Sequence, residues 1–256
     1  MSATTQTVYL VSGANRGVGF GLVSELAKDS NNLVFAGARD PARADALNAL
    51  AKELPNLKVV KLTSGDVDDN KAAVDEINKS AGRLDTVIAN AGISKYYGPL
   101  LTHPTQEFRD HYEVNVIGVV VLFQAVQPLL AKSGSGHFAV ISSAAGSIGK
   151  YIPLSAAAYA SSKAAVNFIV KVIHVEHESE GIIASAHNPG WVSTDMGNVG
   201  AIANGMPQAP VTVEDSVKGL LSNIVGATRE RVGGKHMNFQ KTSGNPWDVD
   251  TEEIPW

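Results

Sequence analysis

Residues 8–27 read VYLVSGANRGVGFGLVSELA, and this stretch decides the fold. The apolar run at 8–11 predicts a short strand, and apolar residues that recur at helical spacing from Phe20 onward predict a helix. Between them, glycines at 13, 17 and 19 allow a sharp turn whose backbone can approach a pyrophosphate at the helix N-terminus. The spacing G-x-x-x-G-x-G differs from the dinucleotide fingerprint G-x-G-x-x-G, so the turn alone also fits a flexible strand-to-helix connection.

The same alternation of short apolar strands and amphipathic helices continues along the chain. The strand candidates are Val8 to Val11, Leu33 to Ala38, Leu57 to Leu62, Thr86 to Ala89, Phe138 to Ile141, Ile182 to Ala186 and Lys235 to Asn238. Helical patterns lie near residues 17–29, 42–53, 67–81, 105–131, 157–180 and 213–228. Such units form right-handed crossovers and a parallel sheet covered on both faces. We therefore predict an α/β fold, a doubly wound parallel sheet of Rossmann type with three α/β/α layers and about seven strands.

The length and charge of the chain narrow its class. A chain of 256 residues without a linker fits one domain over residues 1–256. A net charge of -4 with no basic run argues against a nucleic-acid partner. Residues 1–7 lack a signal-peptide core, and we expect no apolar stretch to span a bilayer, so the prediction is a cytoplasmic protein without a membrane partner. The absence of cysteine excludes disulfides and thiolate catalysis.

Tyr159 and Lys163 stand four residues apart in the run AYASSKAA at 158–165. On a helix this spacing places both side chains on one face, where an ammonium favours the ionised form of a phenol. Lowering a tyrosine pKa from about 10 to near 7 takes roughly 4 kcal/mol. One lysine charge about 6 Å away supplies roughly 3 kcal/mol at an effective dielectric near 20. A second cation, such as an oxidised nicotinamide, would supply the rest, although the same spacing also arises by chance on helix surfaces.

Further short motifs follow the predicted strands in order. They are Asn90-Ala91-Gly92 after the fourth strand, Asn115 in the long helical pattern, Ser143 after the fifth strand, and Asn188-Pro189-Gly190 with Thr194 after the sixth. With the glycine turn and the Tyr159–Lys163 pair, they resemble the ordered motifs of the short-chain dehydrogenase/reductase family over nearly the whole chain. The order of segments and the run EEIPW at 252–256 are also similar to fungal ketoreductases of the norsolorinic-acid-reductase type.

The resemblance implies a carbonyl reductase with NADP(H) as its hydride carrier. Tyr159 would protonate the substrate oxygen, Ser143 would orient the carbonyl, and Lys163 would lower the pKa of Tyr159 and hold the nicotinamide ribose. Asn115 would kink its helix and hold a water that passes protons to Lys163, or would be a buried asparagine satisfied by its neighbours. The implied cofactor-binding residues, besides Tyr159 and Lys163, are Gly13, Asn15, Arg16, Gly17, Val18, Gly19, Arg39, Thr63, Ser64, Asn90, Ala91, Gly92, Pro189, Gly190, Val192 and Thr194.

Charge at the end of the second strand favours NADP(H) over NAD(H). Where an acidic residue would bind a ribose 2′-hydroxyl, the chain has Ala38 followed by Arg39. Arg39 and Arg16 together suit a 2′-phosphate, whereas Asp40 would suit the ribose if the loop shifted. After the third strand, Thr63 stands where the family usually has an adenine-binding aspartate. Thr63 or Ser64 would substitute, or Asp66 would return to the site, or the run Ser-Gly-Asp would cap the next helix at Asp66.

The walls of the substrate site are predicted to be apolar and aromatic. Between Ser143 and Tyr159 the chain is about three residues longer than is common in the family, and residues near 191–212 form a Gly-, Ala-, Asn- and Pro-rich lid. The wall residues are Ile93, Tyr96, Tyr97, Ile148, Tyr151 and Trp191. These walls favour a neutral apolar or aromatic ketone or aldehyde as substrate. About half of these side chains would instead belong to the core or to an interface. Ser142 would point away from the site, because consecutive strand residues face opposite sides.

Two other functions remain possible on these residues. One is a binding protein that senses NADP(H) on the same fold, and the other is a hydrolase that uses Ser143 and Lys163. His174 and His177 lie on an acidic helix end without a third ligand nearby, so no metal site is predicted. Helices at 105–131 and 157–180 carry apolar residues on more than one face, including 119–123 and 168–175, which predicts a homodimer or homotetramer.

Overall fold

The computed structural model describes residues 6–239 and 252–256, and these form a parallel seven-stranded sheet with helices on both faces. The strands are β1 (Thr7–Val11), β2 (Asn32–Ala38), β3 (Leu57–Lys61), β4 (Thr86–Ala89), β5 (His137–Ile141), β6 (Ile183–Asn188) and β7 (His236–Asn238). The helices are α1 (Gly17–Leu26), α2 (Asp45–Glu53), α3 (Val67–Ala81), α4 (Thr105–Tyr112), α5 (Gly118–Ala131), α6 (Ala157–Glu176), α7 (Asp195–Ala203), α8 (Val213–Ile224) and α9 (Arg229–Val232).

The strand order is β3-β2-β1-β4-β5-β6-β7, with every neighbouring pair parallel. The predicted doubly wound parallel sheet is therefore confirmed. The winding reverses between β1 and β4, which pair from Tyr9 with Thr86 to Val11 with Ile88. At such a switch point the loops leaving the two strands diverge and leave a crevice at the carboxyl edge of the sheet, where ligands bind in this fold class.

Two apolar layers hold the helices on the sheet. On one face, Phe35, Phe138 and other alternate strand residues pack against α3, α5 and α6. On the other face, the intervening strand residues, including Val11 and Ile88, pack against α1, α2 and α8. Because both faces are covered, β1, β2, β4, β5 and β6 are buried along nearly their whole length, which explains their largely apolar sequence.

The element boundaries differ from the sequence prediction mainly after β6. That strand runs two residues further than predicted, to Asn188, and helix α7 lies inside the segment predicted as a lid. Helix α7 forms because the Thr194 hydroxyl accepts a hydrogen bond from the Gly197 amide at 3.1 Å, and Asp195 adds a negative charge in the first turn. Helix α7 was not predicted, because the Gly- and Asn-rich composition of this segment is typical of a loop.

The expectation that no stretch is long and apolar enough to span a membrane was wrong. By length and composition the helical run Thr105–Ala131 qualifies, and it is the one such run among the described residues. Half of its apolar window is buried within the protein, because α5 packs against β4, β5 and α3. Core packing thus accounts for its apolar composition. The residues Glu113–Ile117 within this run form a π-helical segment, and this segment contains Asn115.

Three histidines are buried in the β5-β6-β7 half of the sheet. The Ser185 hydroxyl lies 2.7 Å from Nε2 of His137 and 2.7 Å from Nε2 of His187. His236 stacks on Trp256 with ring centroids 5.8 Å apart. Burial lowers the pKa of His137 and of His236 to about 4, and burial holds the pKa of His187 well below its usual range. These rings are therefore neutral in the folded protein near neutral pH.

We expect His236→Phe to make the protein less sensitive to acid. Between pH 6.5 and about 4 the unfolded chain binds a proton at this ring that the folded chain does not. The free energy of unfolding therefore falls as pH falls through this window. Each such histidine contributes about 1.4 kcal/mol per pH unit. Phenylalanine keeps a ring against Trp256 and removes this contribution, so urea titrations across the window should give a shallower slope for the variant. Parallel slopes for variant and wild type would contradict the expectation.

Candidate active site

The glycine turn after β1 forms a cradle that only glycine backbone permits. Gly13 and Gly17 have φ angles of 65° and 56°, in the left-handed region that favours glycine. A Cβ added to Gly19 would lie 2.3 Å from the Gly13 carbonyl oxygen and 2.5 Å from Nδ2 of Asn90. The turn therefore presents bare backbone at the start of α1, which fits the pyrophosphate of a dinucleotide.

Ser12 and Asn90 join the loops on the two sides of the switch point. The Ser12 hydroxyl accepts hydrogen bonds from the backbone amides of Asn90 and Ala91, both at 3.0 Å. The Asn90 side-chain amide donates to the carbonyls of Ser12 at 2.9 Å and Gly13 at 3.2 Å. The sequence prediction included Asn90 but not Ser12, whose signal is its place at the carboxyl end of β1 directly before the glycine turn.

Helix α6 brings Tyr159 and Lys163 to the carboxyl edge of the sheet beside Ser143. The Lys163 ammonium lies 5.7 Å from the centre of the Tyr159 ring and donates a 2.9 Å hydrogen bond to the Ile141 carbonyl oxygen. Lys163 is buried, with 5% of its surface exposed, while Tyr159 is half-buried. The Ser143 hydroxyl lies beside the Tyr159 phenol, close enough to act on its pKa. The structure thus brings Ser143, Tyr159 and Lys163 together.

The pKa values of this pair differ from the sequence expectation. Burial raises the pKa of Tyr159 to about 12, and the hydrogen bond with Ser143 offsets only part of that rise. Burial lowers the pKa of Lys163 to about 8. The sequence predicted that the lysine charge would lower the pKa of Tyr159, whereas burial of the phenol raises that pKa in the structure. At neutral pH the pair is a protonated phenol beside a protonated amine.

Asn115 connects the loop after β4 to helix α6. Its Oδ1 accepts from the Ile93 amide at 2.8 Å, and its Nδ2 donates to the Ile93 carbonyl and the Ser162 hydroxyl, both at 3.0 Å. Asn115 lies in the π-helical segment, and its side chain is satisfied by neighbours, as the second interpretation of this residue expected. The helix kink stays a prediction, as does the proposed part of Asn115 in proton transfer to Lys163. A Cβ on Gly92 would lie 3.2 Å from Asn115 Oδ1 and 3.6 Å from Lys163 Nζ, so Gly92 keeps this corner open.

The two serines after β5 face opposite sides, as predicted. The Ser142 hydroxyl is buried and donates to Oδ1 of Asn167 at 2.5 Å. Ser143 turns toward Tyr159 and begins a short 3-10 turn, where its hydroxyl accepts from the Ala145 amide at 3.2 Å. The amide of Ala144, the residue directly after Ser143, donates to Oδ1 of Asn188 at 3.0 Å. This bond gives Asn188 a structural role beneath the serine turn that sequence reasoning did not assign.

The residues predicted at the adenosine end lie at the carboxyl ends of β2 and β3. Arg39 and Asp40 are exposed, and Arg39 forms no ion pair with any residue that the structure describes. Arg16 is also exposed, but its guanidinium pairs with Asp195 of α7 at 3.0 Å. The predicted position of Arg16 beside the same ribose as Arg39 stays a prediction. Both arginines keep a positive charge at the rim of the crevice.

The polar residues after β3 are bound within the protein. The Asp66 carboxylate accepts from the Asp69 amide at 2.9 Å, which confirms the interpretation that Asp66 caps α3. The Thr63 hydroxyl lies beside the Asp69 carboxylate and lowers its pKa, and the Ser64 hydroxyl donates to the Val114 carbonyl at 3.0 Å. The adenine contacts predicted for Thr63 and Ser64 therefore stay a prediction.

The segment from Pro189 to Thr194 closes one end of the crevice. Gly190 has a φ of 78° with the Phe239 ring against it, and the Pro189 carbonyl accepts from the Ser216 hydroxyl at 2.7 Å. A Cβ on Gly17 would lie 3.3 Å from Cγ2 of Thr194, so this segment touches the glycine turn. The Thr194 hydroxyl caps α7. Its predicted contact with a nicotinamide carboxamide stays a prediction, as does that of Val192, which is buried and bridges to Val211.

The predicted substrate walls divide into packed and open residues. Ile148 and Tyr151 are 79% and 76% exposed, whereas Tyr97 is half-buried and its hydroxyl lies 2.8 Å from that of Ser94. A Cβ on Gly200 would come within 2.6 Å of the Tyr97 hydroxyl, so α7 packs directly on this wall. Ile93, Tyr96 and Trp191 are half-buried.

Two other interpretations of the polar residues lack support in the described geometry. Lys163 donates to the Ile141 carbonyl, and the Ser143 hydroxyl accepts from the Ala145 amide, so the described residues contain no Ser143–Lys163 pair of the kind a hydrolase needs. His174 and His177, the two histidines considered as metal ligands, also have partners within the protein. His174 contacts Arg229 at 3.0 Å and His177 contacts Glu180 at 2.8 Å.

Comparisons with known proteins agree on one family. A model of the short chain dehydrogenases matches residues 7–201. The norsolorinic acid ketoreductase of Emericella nidulans is 35% identical over 253 residues, which cover 96% of this chain and 95% of that protein. The carbonyl reductase Sniffer of D. melanogaster has a TM-score of 0.85 at 25% identity, covering 98% of this chain and 100% of that one. The NADPH-bound carbonyl reductase from chicken fatty liver has a TM-score of 0.81 at 33% identity, covering 91% and 96%.

Proposed function

Because the chain belongs to the short-chain dehydrogenase family, we propose that it is an NADPH-dependent carbonyl reductase, which reversibly reduces an apolar or aromatic ketone or aldehyde. The observation that carries the proposal is the meeting of Ser143, Tyr159 and Lys163 at the carboxyl edge of the sheet that also carries the glycine cradle. Carbonyl reduction needs both a hydride donor and a proton donor. We propose that the crevice binds the dinucleotide as hydride donor beside Tyr159 as proton donor.

The glycine cradle would hold the dinucleotide, which would supply the hydride, while the chain's own residues handle the proton and the substrate oxygen. Tyr159 holds its proton at neutral pH, since burial keeps its pKa near 12, and gives that proton to the substrate oxygen as negative charge develops there. Ser143 donates a hydrogen bond to the same oxygen and orients it. Lys163 is buried beside the phenol, and its positive charge stabilises the phenolate that remains after proton transfer.

Exposed apolar side chains around the crevice support an apolar substrate. Ile148 and Tyr151 follow the serine turn, and Val199 and Ile202 on α7 are 53% and 66% exposed. Large apolar surface is stabilised when a ligand covers it, so such walls favour an aromatic or aliphatic ketone over a sugar phosphate or an acyl thioester. One relative is named a norsolorinic acid ketoreductase, and a ketone as its substrate agrees with the proposed reaction.

A panel of carbonyl compounds tests the proposed function. We expect NADPH to be consumed with aromatic and long-chain aliphatic ketones or aldehydes, and expect little turnover with phosphorylated sugars. The loss of NADPH absorbance would measure this consumption. If the protein binds NADPH with a defined affinity and oxidises it with no member of a broad panel, it is a cofactor-binding protein rather than a reductase. Turnover confined to phosphorylated sugars would refute the proposed substrate class.

Arg39→Ala should weaken the use of NADPH and spare the use of NADH. A charge-assisted hydrogen bond to a phosphate contributes about 1.5–3 kcal/mol, so the KM for NADPH should rise roughly 10- to 100-fold. The KM for NADH should change less than about threefold, because NADH has no 2′-phosphate. Arg43→Ala is the matched control, since Arg43 is an exposed arginine four residues further along. Equal effects of Arg39→Ala on both cofactors would contradict the preference for NADP(H).

We further propose a twofold oligomer that forms through α6. Phe168 and Val175 on this helix are 69% and 61% exposed, and such surface favours burial against another subunit. Residues 119–123 were also predicted to bury surface against another subunit. This prediction was wrong in part, because Val119 and Phe123 are buried in the core of the chain itself. Sedimentation would measure the oligomeric state. A single domain with a lid near 191–212 and a cytoplasmic location stay predictions.

A further inference from the structure

Residues 252–256, hereafter the edge segment, lie along the outer strand of the sheet. The Asn238 amide donates to the Glu252 carbonyl at 2.8 Å, and the Ile254 amide donates to the His236 carbonyl at 2.7 Å. Met237 and Glu253 form an antiparallel bridge between these two bonds. The edge segment therefore covers an edge of β7 that would otherwise present unpaired backbone groups.

The same segment reaches the loop that follows Ser143. The Gly149 amide donates to the Trp256 carbonyl at 2.8 Å, and the Ser147 hydroxyl donates to the Pro255 carbonyl. A Cβ on Gly149 would stand 3.1 Å from the Pro255 ring, so the loop and the segment are in direct contact. This loop connects Ser143 to Tyr159 and carries the exposed side chains Ile148 and Tyr151.

Ile254 fills the space behind the serine turn. It is 1% exposed and packs on Ala144, the residue after Ser143, and on Ile152 further along the loop. On the other side of the turn, the Ala144 amide is held by Asn188, whose side chain donates to Oδ1 of Asn238 at 2.9 Å. The serine turn is thus held from two directions, and both supports lead to β7 and its edge segment.

The loop between Ser143 and Tyr159 has little regular structure of its own. After the 3-10 turn Ala144–Gly146, residues 148–154 belong to no helix or strand. Local bonds run from the Lys150 amide to the Ser147 hydroxyl at 3.0 Å and from the Leu154 amide to the Ile152 carbonyl at 2.7 Å. Loops with few backbone partners open readily, so contacts made by another segment decide how well such a loop is ordered.

We infer that the edge segment is a positioning element of the substrate site, which fixes the direction of the Ser143 hydroxyl and the wall formed by residues 147–152. The inference rests on the proposed function, because it assigns the wall and the serine to a ketone substrate. Its residues are positioning residues, since Ile254 acts through Ala144 and the segment's carbonyls act through Ser147 and Gly149. A small displacement of an orienting group is enough to slow a reaction that depends on alignment.

Ile254→Ala tests the inference, with Ile77→Ala as the matched control. Both isoleucines are at most 1% exposed, but Ile77 lies in α3 and packs in the core on the opposite half of the sheet. At a temperature where both variants are folded, Ile254→Ala should lower kcat/KM for the ketone by about 10-fold while leaving the Kd for NADPH within about twofold. Ile77→Ala should keep wild-type kcat/KM. Ile254→Val, which retains most of the packing, should restore most of the loss.

Hydrogen exchange gives a readout that does not depend on activity. In Ile254→Ala and in the milder Ser147→Ala, amides of residues 144–152 should exchange about 10-fold faster than in the wild type, while α3 and β1 exchange at the wild-type rate. Unchanged exchange in this loop in both variants would overturn the inference, as would equal losses of kcat/KM in Ile254→Ala and Ile77→Ala. If wild type reduces no ketone but the loop exchange rises as expected, the proposed function fails and the contact between segment and loop stands.

Discussion

Tyr159→Phe should lower kcat for ketone reduction by about 10³-fold, within the range that a general acid contributes. The substitution removes the phenolic hydroxyl and keeps the ring that faces His111 at 6.5 Å between centroids. NADPH binding should persist, because the glycine cradle and Arg39 are untouched. Single-turnover kinetics with saturating NADPH would measure the chemical step, and fluorescence titration would measure the Kd for NADPH.

Tyr9→Phe is the matched control for this variant. Burial raises the pKa of Tyr9 as it does that of Tyr159, but Tyr9 lies in β1 beside Asp85 and Asp29, away from the serine turn. Its kcat should stay within about threefold of wild type, since it only loses a hydroxyl from the core. Turnover retained in Tyr159→Phe, or lost equally in both variants, would show that the phenol of Tyr159 is not the acid.

The raised pKa of Tyr159 gives the two directions of the reaction different requirements. Reduction needs the protonated phenol, which a pKa of about 12 guarantees at neutral pH. Alcohol oxidation needs the phenolate as a base, and forming it in this buried position costs free energy unless nearby positive charge compensates. Lys163, whose own pKa burial lowers to about 8, remains largely protonated at neutral pH and supplies one such charge. At neutral pH Tyr159 is therefore in the protonated form that reduction needs.

The sheet was predictable because its signals are local. The run from Val8 to Leu26 carries a strand, a glycine turn and an apolar helix face within 19 consecutive residues, and each part forms where its periodicity predicts. The four-residue spacing of Tyr159 and Lys163 likewise determines that they share one face of α6. Alternation along a strand determined that Ser142 and Ser143 diverge.

What the sequence did not predict depends on contacts between distant segments. Ile254 packs on Ala144 although 110 positions separate them (254 minus 144), and no local pattern marks that pair. The pKa of Tyr159 follows from how much protein surrounds the phenol, whereas the sequence reveals only its neighbouring lysine. The ion pair between Arg16 and Asp195, the first residue of α7, was also not predicted.

The second large effect is expected for Ser143→Ala, compared with Ser142→Ala. Ser143 is half-buried and faces Tyr159, so its hydroxyl can reach the oxygen that receives the proton. Removing one hydrogen-bond donor from such a position lowers kcat by about 10²- to 10³-fold in other enzymes. Ser142 lies on the other side of the strand end, fully buried against Asn167. We therefore expect Ser143→Ala to lose kcat with its stability nearly unchanged.

Ser142→Ala should show the reverse pattern, and the pair together separates chemistry from folding. Losing the hydrogen bond to Asn167 should lower the free energy of unfolding by about 1 kcal/mol, because the amide partner stays buried without it. Its kcat, measured well below the unfolding midpoint, should remain within about threefold of wild type. Denaturant titration and steady-state kinetics on the same two preparations give both quantities. Suppose that Ser142→Ala loses turnover as strongly as Ser143→Ala. The assignment of Ser143, and not Ser142, as the serine that faces the substrate oxygen would then be wrong.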